Sequence, residues 1–214
     1  CGGWGACVGG VRDRQGAATG GANGAGRGTE IGLGEGVADV MGIDKSKIHV
    51  VSRDTGGSFG MKNGAYPEYP VTLIAARAIG RPVRWEPART ESLLADSHSR
   101  EQIVEAALAL DEDGTFLAVQ TVASANLGAY LGPMTLHPMV ANLGSLSGVY
   151  RTPQIAATVD GVFTNTQNMA PYRGAGRPEA IYLIERLVDL AARRLGMDPV
   201  EIRRRNMIRG DQTV

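Results

Sequence analysis

Two short segments of this chain combine glycine with residues able to handle an anion. The first is Gly56-Gly57-Ser58-Phe59-Gly60, which follows a β-branched run and precedes a helix by a few residues. Without β-carbons, such a turn lets backbone N–H groups come close to an anionic or polar ligand. A plain tight turn accounts for it equally well, and the spacing is not G-x-G-x-x-G, so a dinucleotide fingerprint is not supported. The second segment is Pro171-Tyr172-Arg173-Gly174-Ala175-Gly176-Arg177-Pro178-Glu179. It lies between a strand and an amphipathic helix and so points at a helix N-terminus, where anions are favoured. Arg173 and Arg177 on either side of a minimal turn suit phosphate or an oxyanion; a solvated basic turn is the competing reading.

Other reactive residues are scattered. His49, His98 and His137 lie far apart, and none has a helical i, i+4 partner. His49 falls mid-strand and reads as structural. His98 lies in the polar stretch Asp96-Ser97-His98-Ser99-Arg100, which either lines a site or faces water. No Ser-His-Asp arrangement, P-loop or H-E-x-x-H motif is present, and no residue is assigned as a metal ligand. The run Arg203-Arg204-Arg205 with Arg209 reads as a solvated helix face.

The elements that must position these loops follow from periodicity and breakers. Thr29 or a neighbour starts a short helix through Met41, with Gly42 where a C-cap belongs. Lys47–Asp54 is a β-branched strand. Pro67 and Pro70 mark the first turn of a helix to about Ile79, with Tyr69, Leu73, Ile74 and Ala76 inward and Gly80 ending it. Pro82–Glu86 is a short strand. Gln102–Leu110 and Phe116–Ala125 alternate across an acidic, glycine-bearing turn, which is a hairpin signal. After a strand over Ile155–Thr164 comes the clearest helix, Arg177–Leu195. There Ile181, Ile184, Leu187, Val188, Ala191 and Leu195 keep the i, i+3, i+4 pattern. Asp198 and Pro199 begin a last helix to about Ile208. Interleaved strands and helices with an antiparallel hairpin predict an α+β, or mixed α/β, fold.

Composition bounds the rest. The 214 residues carry 22 Lys plus Arg against 22 Asp plus Glu, which argues against nucleic acid or an anionic membrane as partner. No run of apolar residues is long enough to span a membrane. Cys1 and Cys7 resemble no disulfide or zinc framework, so a reducing compartment is the default. Eleven of the 30 glycines fall in the first 28 residues, where Trp4, Val8 and Val11 are the sizeable apolar side chains. Residues 1–27 are therefore expected to be a glycine-rich irregular segment, either a linker or a phosphate cradle, and 28–214 one domain. With no initiator methionine, the chain is expected to begin within a longer protein.

Five blocks in order carry a family resemblance: Val50–Lys62 (VVSRDTGGSFGMK), Arg81–Arg84 (RPVR), Asp111–Ala118 (DEDGTFLA), Tyr172–Glu179 (YRGAGRPE) and Asp198–Ile208 (DPVEIRRRNMI). The chain, over about residues 29–210, resembles the molybdopterin-binding large subunit of the molybdenum hydroxylases: xanthine dehydrogenase, aldehyde oxidoreductase and aerobic carbon monoxide dehydrogenase. The resemblance implies a molybdopterin-binding domain with mixed sheet, hairpin and packed helices. It implies that Gly56, Gly57, Ser58, Phe59 and Gly60 lie against the molybdopterin, possibly in its cytosine dinucleotide form. It brings Arg173, Gly174, Ala175 and Gly176 toward the molybdenum, and makes Arg173 and Glu91 candidate substrate contacts; Glu91 reads equally well as a solvated acid.

The same resemblance implies oxidation of an aldehyde, purine or other N-heterocycle with water as oxygen source. Iron–sulfur clusters and FAD are expected on partner subunits, in an oligomeric complex. A cytoplasmic location is expected, with the periplasm left open. The sequence departs from the family twice. A loop cysteine that helps bind copper in carbon monoxide dehydrogenases is replaced by Gly174-Ala175-Gly176, which argues against copper. The glutamine that contacts the molybdenum oxo group would fall near Gly28, yet no glutamine occurs between Gln15 and Gln102. The family's general-base glutamate would lie beyond Val214. The expectation is thus a first molybdopterin-binding half, inactive as an isolated fragment; the alternative is a non-catalytic scaffold or binding domain that keeps the fold.

Overall fold

The computed structural model describes residues 7–12, 15–19, 27–51, 59–61 and 66–210, with the stretches before residue 34 as backbone alone. Its contacts divide the chain into two compact units after Asp96, where the sequence expectation drew one domain over 28–214.

The first unit holds strands β1 (Cys7–Arg12), β2 (Gln15–Thr19), β3 (Ile48–Val51) and β4 (Val83–Trp85) in the order β3-β2-β1-β4. β1 pairs antiparallel with β2 and β4, and β2 pairs parallel with β3. Two strands thus stand where an irregular glycine-rich segment was expected. The side-chain count misled because a strand flanked on both sides is held by its own N–H and C=O groups, which glycine carries like any residue. Helices α1 (Arg27–Met41), α2 (Glu68–Ile79) and α3 (Arg89–Ala95) complete the unit. Within it, Val37, Leu73 and Ala76 are buried. On α2 the inward face includes Pro70 and Thr72, while Ile74, expected inward, is 43% exposed. Thr72 is tolerated there because its hydroxyl donates to the Glu68 carbonyl at 2.6 Å. The short α3 was not anticipated.

The second unit is built on a sheet of order β5-β6-β7, from β5 (Gln102–Leu110), β6 (Phe116–Gly128) and β7 (Gln154–Phe163). β5 and β6 form the anticipated antiparallel hairpin. Its turn is closed by Asp111, whose carbonyl accepts from Gly114 N and whose Oδ1 accepts from Thr115 N at 2.8 Å. β6 and β7 are parallel, so the chain must cross over between them. That crossover carries the unanticipated α4 (His137–Ala141) and a 3-10 turn over Leu143–Ser145. Helices α5 (Arg177–Leu195) and α6 (Pro199–Asn206) finish the unit. Ile184 and Val188 of α5, Ile202 of α6 and Phe116 and Val119 of β6 form its main core with Tyr150. Ile181 is 43% exposed, outside the inward stripe predicted for it. A second apolar cluster joins Ala125, Leu127, Met139 and Met169. Asp198 caps α6 as expected, accepting from Val200 N and Glu201 N. α5 ends at Gly196, with φ 63°.

Candidate cofactor-binding site

The arginine-bearing loop enters from a short parallel bridge between His98 and Met169. Met169 is buried, and past it the chain turns through Tyr172–Gly176 into α5. Two internal bonds shape the turn: Ala175 N donates to the Tyr172 carbonyl at 2.6 Å and Arg177 N to the Gly174 carbonyl at 3.0 Å. Three consecutive residues are left-handed, Gly174 at φ 93°, Ala175 at 49° and Gly176 at 100°. A β-carbon on Gly176 would lie 2.0 Å from the Pro138 carbonyl oxygen, so α4 forms the wall against which the loop closes.

Arg173 is exposed, and its guanidinium has no hydrogen bond or ion pair among the described residues. Arg177 differs: its Nη1 reaches the Gly174 carbonyl at 3.4 Å. The amides of Gly174 and Gly176 also donate to no group among the described residues. Two free N–H groups and a free guanidinium therefore stand at the N-terminus of a 19-residue helix. Such a donor set fits a phosphorylated pterin or an oxyanion, which accept hydrogen bonds and carry negative charge.

Of the other expected site residues, Gly56, Gly57 and Ser58 lie outside the described residues. Phe59 and Gly60 belong to the first unit, with φ 53° and 103°, and Phe59 is 53% exposed. A left-handed phenylalanine is costly backbone of the kind that collects at functional loops. Glu91 lies in the first turn of α3, where its Oε2 accepts from Ala88 N at 3.3 Å. That bond satisfies an orphan amide of the helix end. His49 is exposed on β3. His98 is held by its backbone, donating to Asn168 O at 3.2 Å and accepting from Ala170 N at 2.8 Å, while its Nε2 stands 3.3 Å from Glu101 Oε2. Among the described residues no cluster of three His, Cys, Asp or Glu side chains could hold a metal ion.

Arg100 and Glu179 stood within named segments of the sequence, but neither carried a role there and nothing paired them. Arg100 Nη1 pairs with Glu179 Oε2 at 3.2 Å, its Nη2 donates to the Arg173 carbonyl, and its Cζ lies 5.2 Å from the Tyr172 ring centroid. The polar run Asp96–Arg100 was the available signal, but it did not single out the arginine. Arg203 also departs from expectation. Rather than a solvated cation, it bridges Asp189 at 2.8 Å and Glu185 at 2.8 Å on α5. Its hydrogen bond holds Asp189 below the usual carboxylate range. Tyr150 donates to Glu185 at 2.6 Å, and burial, reinforced by that bond, pushes its phenol up to about 12.

Among the described residues, the chain thus combines a two-unit α+β architecture with an arginine-bearing turn whose unpaired donors sit at the start of a 19-residue helix. Comparison with known proteins gives the class. The profile of the molybdopterin cofactor-binding domain family matches residues 32–207. The large chain of carbon monoxide dehydrogenase from Hydrogenophaga pseudoflava is 38% identical over 82% of this chain and 22% of its own. Subunit gamma of the 6-hydroxypseudooxynicotine dehydrogenase complex of Paenarthrobacter nicotinovorans is 36% identical over 80% of this chain and 22% of its own. The crystal structure of quinoline 2-oxidoreductase from Pseudomonas putida superposes with a TM-score of 0.91 at 31% identity, covering 98% of this chain and 26% of that one.

The chain belongs to the molybdopterin cofactor-binding domain family of the molybdenum hydroxylases. It spans about a fifth of the length of the curated relatives it matches.

Proposed function

We propose that this chain is the first molybdopterin-binding part of a molybdenum hydroxylase large subunit, and that its Tyr172–Gly176 turn lies against the cofactor. The observation that carries this reading is the contrast between two neighbouring arginines. Arg177 is engaged with the Gly174 carbonyl, whereas Arg173 stands unpaired beside two unpaired amides. The bound cofactor would supply transfer of a water-derived oxygen to an aldehyde or N-heterocycle and accept two electrons. The chain's own part is to hold and orient: Arg173 with its planar fork of donors, the Gly174 and Gly176 amides with fixed dipoles, and α5 with its positive end. Gly56–Gly60 contributes a second cradle in the same reading.

No residue here is cast as the general base, so turnover requires the remainder of the subunit and the isolated chain is inactive. Iron–sulfur and FAD-bearing subunits, as partners in an oligomer, carry the electrons away. The cofactor's cytosine dinucleotide form belongs to the same reading. A cytoplasmic setting is supported by the absence of a disulfide-type cysteine pattern, and among the described residues no helix is long and apolar enough to cross a membrane.

The test is Arg173→Lys in the full-length subunit, with turnover normalised to molybdenum content. Charge is kept and the planar fork is lost, so turnover should fall at least about tenfold, ~1.4 kcal/mol in the barrier. Arg177→Lys should fall less. Wild-type turnover in Arg173→Lys with a crippled Arg177→Lys would reverse the assignment, and no effect in either would reduce the loop to a turn.

A further inference from the structure

The turn has two internal hydrogen bonds, and neither fixes the peptide between Arg173 and Gly174. That peptide is fixed from outside. Arg100 Nη2 donates to the Arg173 carbonyl, and in a trans peptide the next N–H points away from the carbonyl, within the same plane. Holding the Arg173 carbonyl on Arg100 therefore turns the Gly174 N–H to the opposite side, where it meets no protein acceptor among the described residues.

We propose that Arg100 is a positioning residue for cofactor binding, which clamps the Arg173–Gly174 peptide and so presents the Gly174 amide to the cofactor's anionic group. The inference rests on the reading that this turn lies against the cofactor.

Three features make Arg100 suited to this. Its guanidinium is itself anchored, through Nη1, on Glu179 Oε2 in the first turn of α5 at 3.2 Å. Its face lies over the Tyr172 ring, so one planar group grips the ring, the loop backbone and the helix start. Its own backbone sits at φ 69°, a left-handed conformation that a β-carbon disfavours and that persists only where the surroundings overdetermine it.

The surroundings do overdetermine it. Two residues earlier, His98 is pinned to both Asn168 and Ala170, on the strand bridge that leads into the loop. Ser97 Oγ donates to Asn168 Oδ1 at 3.0 Å on the same bridge. The anchor belongs to α5, not to the loop. Glu179 is largely buried, and with Gln102 and Asn142 it lines a cavity of about 20 Å³. A lysine could keep the pairing with Glu179, but its single ammonium could not also span the carbonyl and the ring.

The experiment uses the full-length subunit, as wild type, Arg100→Ala and Arg100→Lys. In cofactor-free protein, trypsin cleavage after Arg173 is followed by mass spectrometry, with cleavage after the exposed Arg151 as internal control. In cofactor-loaded protein, molybdenum retained per subunit after gel filtration is measured. We expect cleavage after Arg173 to accelerate at least about tenfold in Arg100→Ala and several-fold in Arg100→Lys, with Arg151 unchanged. Both variants should retain several-fold less molybdenum. Arg100→Lys should keep the wild-type melting temperature, which separates loop positioning from a merely structural loss. Wild-type cleavage rates after Arg173 in both variants overturn the clamp. Faster cleavage with molybdenum fully retained leaves the clamp standing as a loop device and overturns the placement of the turn against the cofactor.

Discussion

Asn206 shows how much one polar side chain can hold. It is 3% exposed at the end of α6, its Oδ1 accepts from Phe116 N at 2.8 Å, and its Nδ2 donates to the carbonyls of Gly114 and Ile202 at 2.8 and 2.9 Å. The amide thus closes the hairpin turn against the last helix. Asn206→Ala strands the buried Phe116 N–H and removes both donations at once, so it should destabilise the second unit by about 2–4 kcal/mol. Urea denaturation with an unchanged m-value checks this; a loss under about 1 kcal/mol would mean that water replaces the side chain. Nothing in the sequence marked this residue, because two of its three partners, Phe116 and Gly114, lie 90 or more positions away. Arg203, read as a solvated cation from its run of neighbours, was missed because its carboxylate partners sit 14 and 18 positions back on a different helix. By contrast Asp198, Gly80 and Gly196 were legible, because a cap or a helix stop is decided within a few residues of chain.

Elements with strong local signals, such as the β5–β6 hairpin and α5, stand where periodicity put them. The short α3 and α4 escaped notice, each being five to seven residues with no repeat to read. α4 matters most for the site, since its Pro138 carbonyl is the wall behind Gly176. Gly176→Ala would force a β-carbon to within 2.0 Å of that oxygen in a backbone at φ 100°. A cost of about 2–4 kcal/mol in stability is expected, or a displaced loop if α4 yields. Gly196→Ala is the comparison: it is left-handed as well, but has nothing within 4 Å, so it should lose only about 1 kcal/mol. Thermal unfolding of both variants decides the matter. Equal losses would show that backbone conformation, and not the wall, makes glycine necessary.

At the scale of the whole molecule, the division after Asp96 and the place of the first strands were the least legible features. β2 and β1 are the two inner strands of the first sheet, so residues 1–27 supply the partners of both β3 and β4. Deleting them should abolish cooperative unfolding of the first unit and leave hydrogen-exchange protection in β5–β7 intact. Retained protection in β3 and β4 would show that the glycine-rich strands are dispensable. The second unit carries a different long-range dependence. Its hairpin turn is stapled by Asn206, 90 residues beyond Phe116, and its β6–β7 pair waits on the whole crossover. On the ribosome, then, this sheet cannot reach its final bonded state while α6 is still in the exit tunnel. Until then its longest strand keeps unpaired polar groups at the hairpin end, and the nascent chain passes through a window in which a chaperone has something to hold.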